Sequence, residues 1–169
     1  MIQSYGLHWR VDRVFWGRQK AAGKLLGAAS RSPKARPVDF REQRGIYVLY
    51  ADYELIYVGQ TGAGSDRLFK RLKTHRSDHL SERWNRFSWF GTQWVTKANE
   101  LSTDTAAVSQ TVESALNLLE AVSIAIAEPR LNLQRGKWSE ATQYFQYWDR
   151  TAGDDEGEDE SDASQSIEG

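Results

Sequence analysis

Residues 46–51 and 53–59 form two consecutive runs rich in β-branched and aromatic residues, joined by almost no intervening chain. So short a connection cannot hold a crossover, so the two runs are expected to pair as an antiparallel hairpin. This local pairing commits the centre of the chain to an antiparallel sheet, and the flanking segments must cover it.

The flanks are read from periodicity. Residues 60–66 contain Gly62 and Gly64 and read as a loop. Residues 67–78 read as a helix, with Leu68 and Leu72 on one face and Asp66 as its N-cap. Residues 87–95 alternate aromatics with small and polar residues, the pattern of a third strand. Residues 107–127 are the longest helix signal, with Leu116, Leu119, Val122, Ile124 and Ile126 as packing residues and Pro129 as the stop. A final aromatic-rich helix is expected over 139–150, and a short one over 19–29, weakened by Gly23 and Gly27. Pro33 and Pro37 mark 30–37 as a loop. The expected fold is α+β: a small three-stranded antiparallel sheet flanked by helices. It occupies residues 41–150, between a basic, aromatic extension (1–40) and a disordered acidic tail (151–169).

Charge sets the expected partner. The net charge of −1 hides a strong asymmetry. Residues 152–169 hold eight acids and no base, so residues 1–151 carry 22 Lys and Arg against 15 acids. Within 8–36, eight Lys and Arg stand against the single acid Asp12, mixed with Trp9, Phe15 and Trp16. A positive body of this kind suits a phosphate backbone. Most aromatics, including Trp84, Phe87, Trp89, Phe90 and Trp94, are expected to build the core. With no cysteine, disulfides and thiolate metal sites are excluded. No apolar run is long enough to span a bilayer, and the N-terminus lacks a signal-peptide core. A soluble, cytoplasmic protein with no membrane partner is expected.

Four motifs then fall in order. Gly45-Ile46-Tyr47 is followed ten residues later by Tyr57-Val58-Gly59. Arg71-Leu72-Lys73-Thr74-His75 lies on the expected helix, and Leu119-Glu120 precedes Pro129 and Leu131-Asn132. Together they resemble the signature of the GIY-YIG nuclease superfamily, which includes the N-terminal nuclease of the UvrC repair protein, some homing endonucleases and a few type II restriction enzymes. The resemblance covers residues 45–133. The loop before Arg71 is about four residues longer than in UvrC-like members, so a strict count from Tyr57 would land on Arg67. Arg71 is preferred, because Leu72 and His75 accompany it. Gln60 stands where UvrC-like members often carry lysine.

The resemblance implies a metal-dependent endonuclease that hydrolyses phosphodiester bonds, with DNA as the favoured substrate. Tyr47 would orient or deprotonate the attacking water and Tyr57 would hydrogen-bond the phosphate. Arg71 would neutralise developing charge. A phenol near pKa 10 is a poor base at neutral pH, so His75, one turn from Arg71, is the candidate to take a proton directly or through Tyr47. Glu120 is the candidate ligand for one Mg²⁺ (or Mn²⁺), and Asn132 would bond a phosphate or a water. Gly59, Gln60, Arg67, Lys70, Lys73 and Arg76 are candidate substrate contacts beside the site. His8 and His79 are expected to be structural or surface residues. Two alternatives stay open: a nucleic-acid-binding module of this fold that does not cut, and an interaction domain whose acidic tail binds a basic partner.

Overall fold

The computed structural model describes residues 2–32, 34–61, 66–103, 112–127 and 141–149. In chain order these form β1 (Ser4–Arg10), β2 (Phe15–Arg18), β3 (Ala21–Lys24), β4 (Leu26–Ala28) and β5 (Val38–Asp39). There follow β6 (Gly45–Ala51), β7 (Glu54–Thr61), α1 (Leu68–Thr74), β8 (Arg86–Gly91), α2 (Val112–Ala127), β9 (Thr142–Gln143) and β10 (Phe145–Gln146).

The expected hairpin is β6–β7, antiparallel from Gly45 opposite Thr61 to Ala51 opposite Glu54. The sheet around it is larger than three strands. Its order is β7-β6-β8-β1-β9, antiparallel throughout except for the parallel β1–β9 pair. A small three-stranded sheet flanked by helices is therefore not the fold. The chain is rich in strands, with a five-stranded mixed sheet and, among the described residues, two α-helices.

The difference comes from both ends of the chain. β1 lies in the segment read as an extension, yet it pairs with β8 inside the main sheet. The helix expected over 19–29 is absent: β2 and β3 form a hairpin turned at Lys20, and β4 pairs with β5 and β10. Ala, Lys and Leu are good helix formers, but helix propensity amounts to less than about 1 kcal/mol per residue and tertiary packing overrides it here. Gly23 lies so close to α1 that a Cβ there would stand 2.2 Å from the Phe69 ring. The helix expected over 139–150 is likewise replaced by β9 and β10. The free edge of β1 accepts and orients this segment, through Thr142 N–H to Gln3 O (3.0 Å) and Tyr144 N–H to Tyr5 O (2.7 Å).

Two apolar layers cover the sheet. Alternation along β6 sends Tyr47 and Leu49 to one face and Val48 and Tyr50 to the other. On the first face, Tyr47, Leu49, Phe87, Trp89 and Trp9 pack with Leu68 and Leu72 of α1. Each such buried side chain contributes about 1.5–3 kcal/mol of transfer free energy. On the second face, Tyr5, Val48, Tyr50 and Phe90 pack against Val122, Ala125 and Ile126 of α2. Trp84, Phe87, Trp89 and Phe90 are core residues, as expected, and Trp9 joins them, whereas Trp94 is half-buried.

The helix signals shift at their ends. α1 is shorter than the expected 67–78, and its N-cap is Arg67, with no side-chain cap. Asp66 ion-pairs with Lys70 at 2.7 Å instead. The third strand ends at Gly91, four residues early. Residues 107–111, Pro129 and the acidic tail lie outside the described residues. No helix among the described residues is long and apolar enough to cross a membrane.

Candidate active site

The two motif glycines explain how the tyrosines are placed. Gly45 has φ +149° and sits so close to β8 that a Cβ would stand 1.9 Å from the Phe90 carbonyl oxygen. Only glycine tolerates that backbone and that approach. Gly59 is the cross-strand partner of Tyr47. A Cβ on Gly59 would lie 2.4 Å from Cζ and Oη of Tyr47, so the missing side chain is the space the phenol occupies. Tyr57 pairs with Leu49, two residues along from Gly59, so it flanks Tyr47 diagonally on the same face. The ring centroids of Tyr47 and Tyr57 are 6.1 Å apart.

α1 supplies the groups that meet these phenols. Arg71 and His75 are one turn apart, linked by the His75 N–H to the Arg71 carbonyl at 3.1 Å. The imidazole is buried, with 3 % of its surface exposed, and lies 5.0 Å from the Tyr57 ring centroid. Its Nε2 is 2.7 Å from the Tyr47 hydroxyl. Its Nδ1 is 2.7 Å from Oδ2 of Asp78, a residue the sequence reading did not select. The carboxylate can only accept, so the geometry assigns a proton to Nδ1 and leaves Nε2 to accept the Tyr47 O–H. Asp78 is fixed by its other oxygen, which accepts the Leu80 N–H at 2.8 Å. That backbone bond, followed by the imidazole, holds its carboxyl below the usual aspartate range. The result is a carboxylate–imidazole–phenol relay across two elements.

Arg71 completes the cluster. Burial pushes the Tyr47 phenol above its ordinary pKa, and the Arg71 guanidinium opposes that shift. Tyr47 in turn raises Arg71. Arg71 Nε is buried without a hydrogen-bond partner, and its nearest carboxylate, Asp66, stands at 3.9 Å. Such an orphaned cationic donor beside a phenol suits an anionic ligand. Arg67 points to other partners, with Nη1 on the Asp66 carbonyl at 3.1 Å and Nε 3.9 Å from Glu42. Arg71, not Arg67, is the arginine at the tyrosines.

The remaining candidates divide. Gln60, Lys70, Lys73 and Arg76 are exposed around the cluster's elements. Arg76 lies 4.6 Å over the Trp16 ring. His79 is exposed, and His8 sits in the β1 irregularity at φ +49°. Glu120 is not brought to the tyrosines. It is exposed on α2, whose packing residues cover the sheet face opposite Tyr47, and no described contact joins it to the cluster. Among the described residues, no group of three or more His, Asp or Glu is arranged to hold a metal ion. Asn132 lies outside the described residues. The signal for Asp78 was present in the sequence as His-x-x-Asp across one helical turn. It becomes meaningful only once Tyr47 occupies the other imidazole nitrogen.

No family model, curated protein or solved structure matches the chain.

Proposed function

We propose that this chain is an endonuclease that hydrolyses phosphodiester bonds, with DNA as its substrate. The observation carrying this reading is the Asp78–His75–Tyr47 relay beside the unpaired Arg71 donor. The four ordered sequence motifs point the same way. In this mechanism His75 Nε2 takes the Tyr47 proton as the Tyr47 oxygen takes one from water. The hydroxide so formed attacks phosphorus, and the bond to the leaving 3′ oxygen breaks. Asp78 stabilises the imidazolium, which returns its proton to Tyr47, and the leaving oxygen takes its proton from solvent. Arg71 and the Tyr57 hydroxyl hold the phosphoryl oxygens as charge accumulates.

The GIY-YIG resemblance also implies one Mg²⁺ or Mn²⁺ on Glu120. The described donor set does not fit that role, because Glu120 is exposed on the layer behind the sheet. No step here is assigned to a metal. The same placement favours a second reading, a module of this kind that binds nucleic acid without cutting it.

Plasmid nicking by the full chain, in Mg²⁺ and in EDTA, separates these readings. The expected result is nicking that falls at least about 100-fold in Tyr47→Phe. Mg²⁺-dependent nicking abolished in Glu120→Ala would restore the metal role of that residue. Salt-sensitive binding with no nicking under either condition would replace the endonuclease by the binding module.

A further inference from the structure

A second cationic surface lies away from the tyrosines. β10 and the turn after β4 enclose a cleft of about 470 Å³, lined by Arg13, Arg31, Ser30, Ser32, Phe145 and Trp148 among others. No acidic residue is among its described lining. Arg13 and Arg31 are exposed, so their charges face solvent. Each guanidinium is held over an aromatic ring: Arg31 at 4.5 Å from the Phe145 centroid and Arg13 at 5.8 Å from that of Trp148. Trp148 remains 50 % exposed, unusual for the largest apolar side chain.

The cleft is continuous with a neighbouring hollow of about 150 Å³ that shares Arg13, Tyr147 and Trp148 and adds Lys24. Asp12 and Asp149 also line that hollow, but Asp12 is ion-paired with Arg10. Lys24 ends β3, whose Gly23 rests against Phe69 of α1, the helix that carries Arg71. Lys24 thus extends the cationic lining of the cleft toward the β2–β3 hairpin.

We propose that this cleft binds an unpaired nucleic-acid strand, with phosphates on Arg13 and Arg31 and bases stacked on Trp148 and the arginine–Phe145 layer. Paired bases stack on each other and offer only their edges. An exposed tryptophan and a guanidinium plane layered on an aromatic ring select bases that are already unstacked. The proposal rests on the nucleic-acid reading above and adds to it a second contact that engages single-stranded regions.

Fluorescence anisotropy in EDTA, with a labelled short oligothymidylate and a duplex of equal length, tests it on the full chain. The single strand is expected to bind more tightly, with Trp148→Ala weakening it about tenfold. Arg13→Ala with Arg31→Ala is expected to lower the salt slope by about 1.4, or 0.7 per arginine. Arg83→Ala with Lys97→Ala, an equal loss of exposed charge elsewhere, should leave both values unchanged. Unaltered thermal melting of the cleft variants excludes misfolding as the cause. Equal binding by the cleft variants and the parent chain overturns the proposal, as does duplex preference or no binding. Nicking with cleft-independent binding would remove the cleft and keep the endonuclease. Cleft-dependent binding without nicking would do the reverse.

Discussion

Tyr47→Phe isolates the central hydrogen bond of the relay. The ring stays buried, so the apolar packing of the first sheet face is retained. The hydroxyl is lost, and His75 Nε2 loses the partner it holds at 2.7 Å in a site where the imidazole is 3 % exposed. Leaving such an acceptor unpaired costs about 1–3 kcal/mol. Divided by a urea slope of about 1–3 kcal/mol per molar, this moves the midpoint of unfolding down by about 1 M. Urea titration followed by circular dichroism measures it. Tyr57→Phe provides the contrast, because the Tyr47–His75 bond survives it; the expected loss is under about 1 kcal/mol. A Tyr47→Phe protein with the parent's midpoint and slope would show that Tyr47 does not bond His75 and that no relay exists.

Gly59→Ala should disconnect the same relay from the opposite strand. A methyl 2.4 Å from the Tyr47 hydroxyl must displace it, so nicking is expected to drop as it does in Tyr47→Phe. Asp78 titrates below the usual aspartate value, so it stabilises the fold above about pH 4 and that contribution is lost as the pH falls through its lowered pKa. Acid titration of Asp78→Asn should show a shallower loss of stability over that window, and an unchanged profile would contradict the assignment. Arg71→Ala is expected to lower nicking by two orders of magnitude or more, and Arg67→Ala by less than tenfold. The reverse order in a plasmid assay would move the catalytic arginine one turn.

What was legible in the sequence is local. The β6–β7 pairing follows from β-propensity and a connection too short for a crossover. The spacing of Tyr47, Gly59 and Tyr57 then follows from antiparallel register, because each residue of one strand faces a definite residue of the other. Leu68 and Leu72 marked the buried side of α1, and the i, i+4 spacing of Arg71 and His75 put both on one side of it. These features depend on residues a turn or a hairpin apart.

The tertiary structure decided what depends on distant partners. β1 is a strand of the main sheet because β8 offers its edge about 80 residues later, and β9 and β10 exist only against β1 and β4. Two-residue strands carry no periodic signal, so the C-terminal aromatics read as a helix. The face to which α2 packs separated Glu120 from the tyrosines, although its spacing from Pro129 and Asn132 matched a motif. Asp78 gained its meaning in the opposite way. An aspartate three residues after a histidine is common chemistry on any surface, and it becomes part of a relay only when the sheet delivers a phenol to the other ring nitrogen. Periodicity reports which side of an element is apolar, whereas a site needs to know what stands across from it. That second fact is set by long-range packing, which no local window of sequence contains.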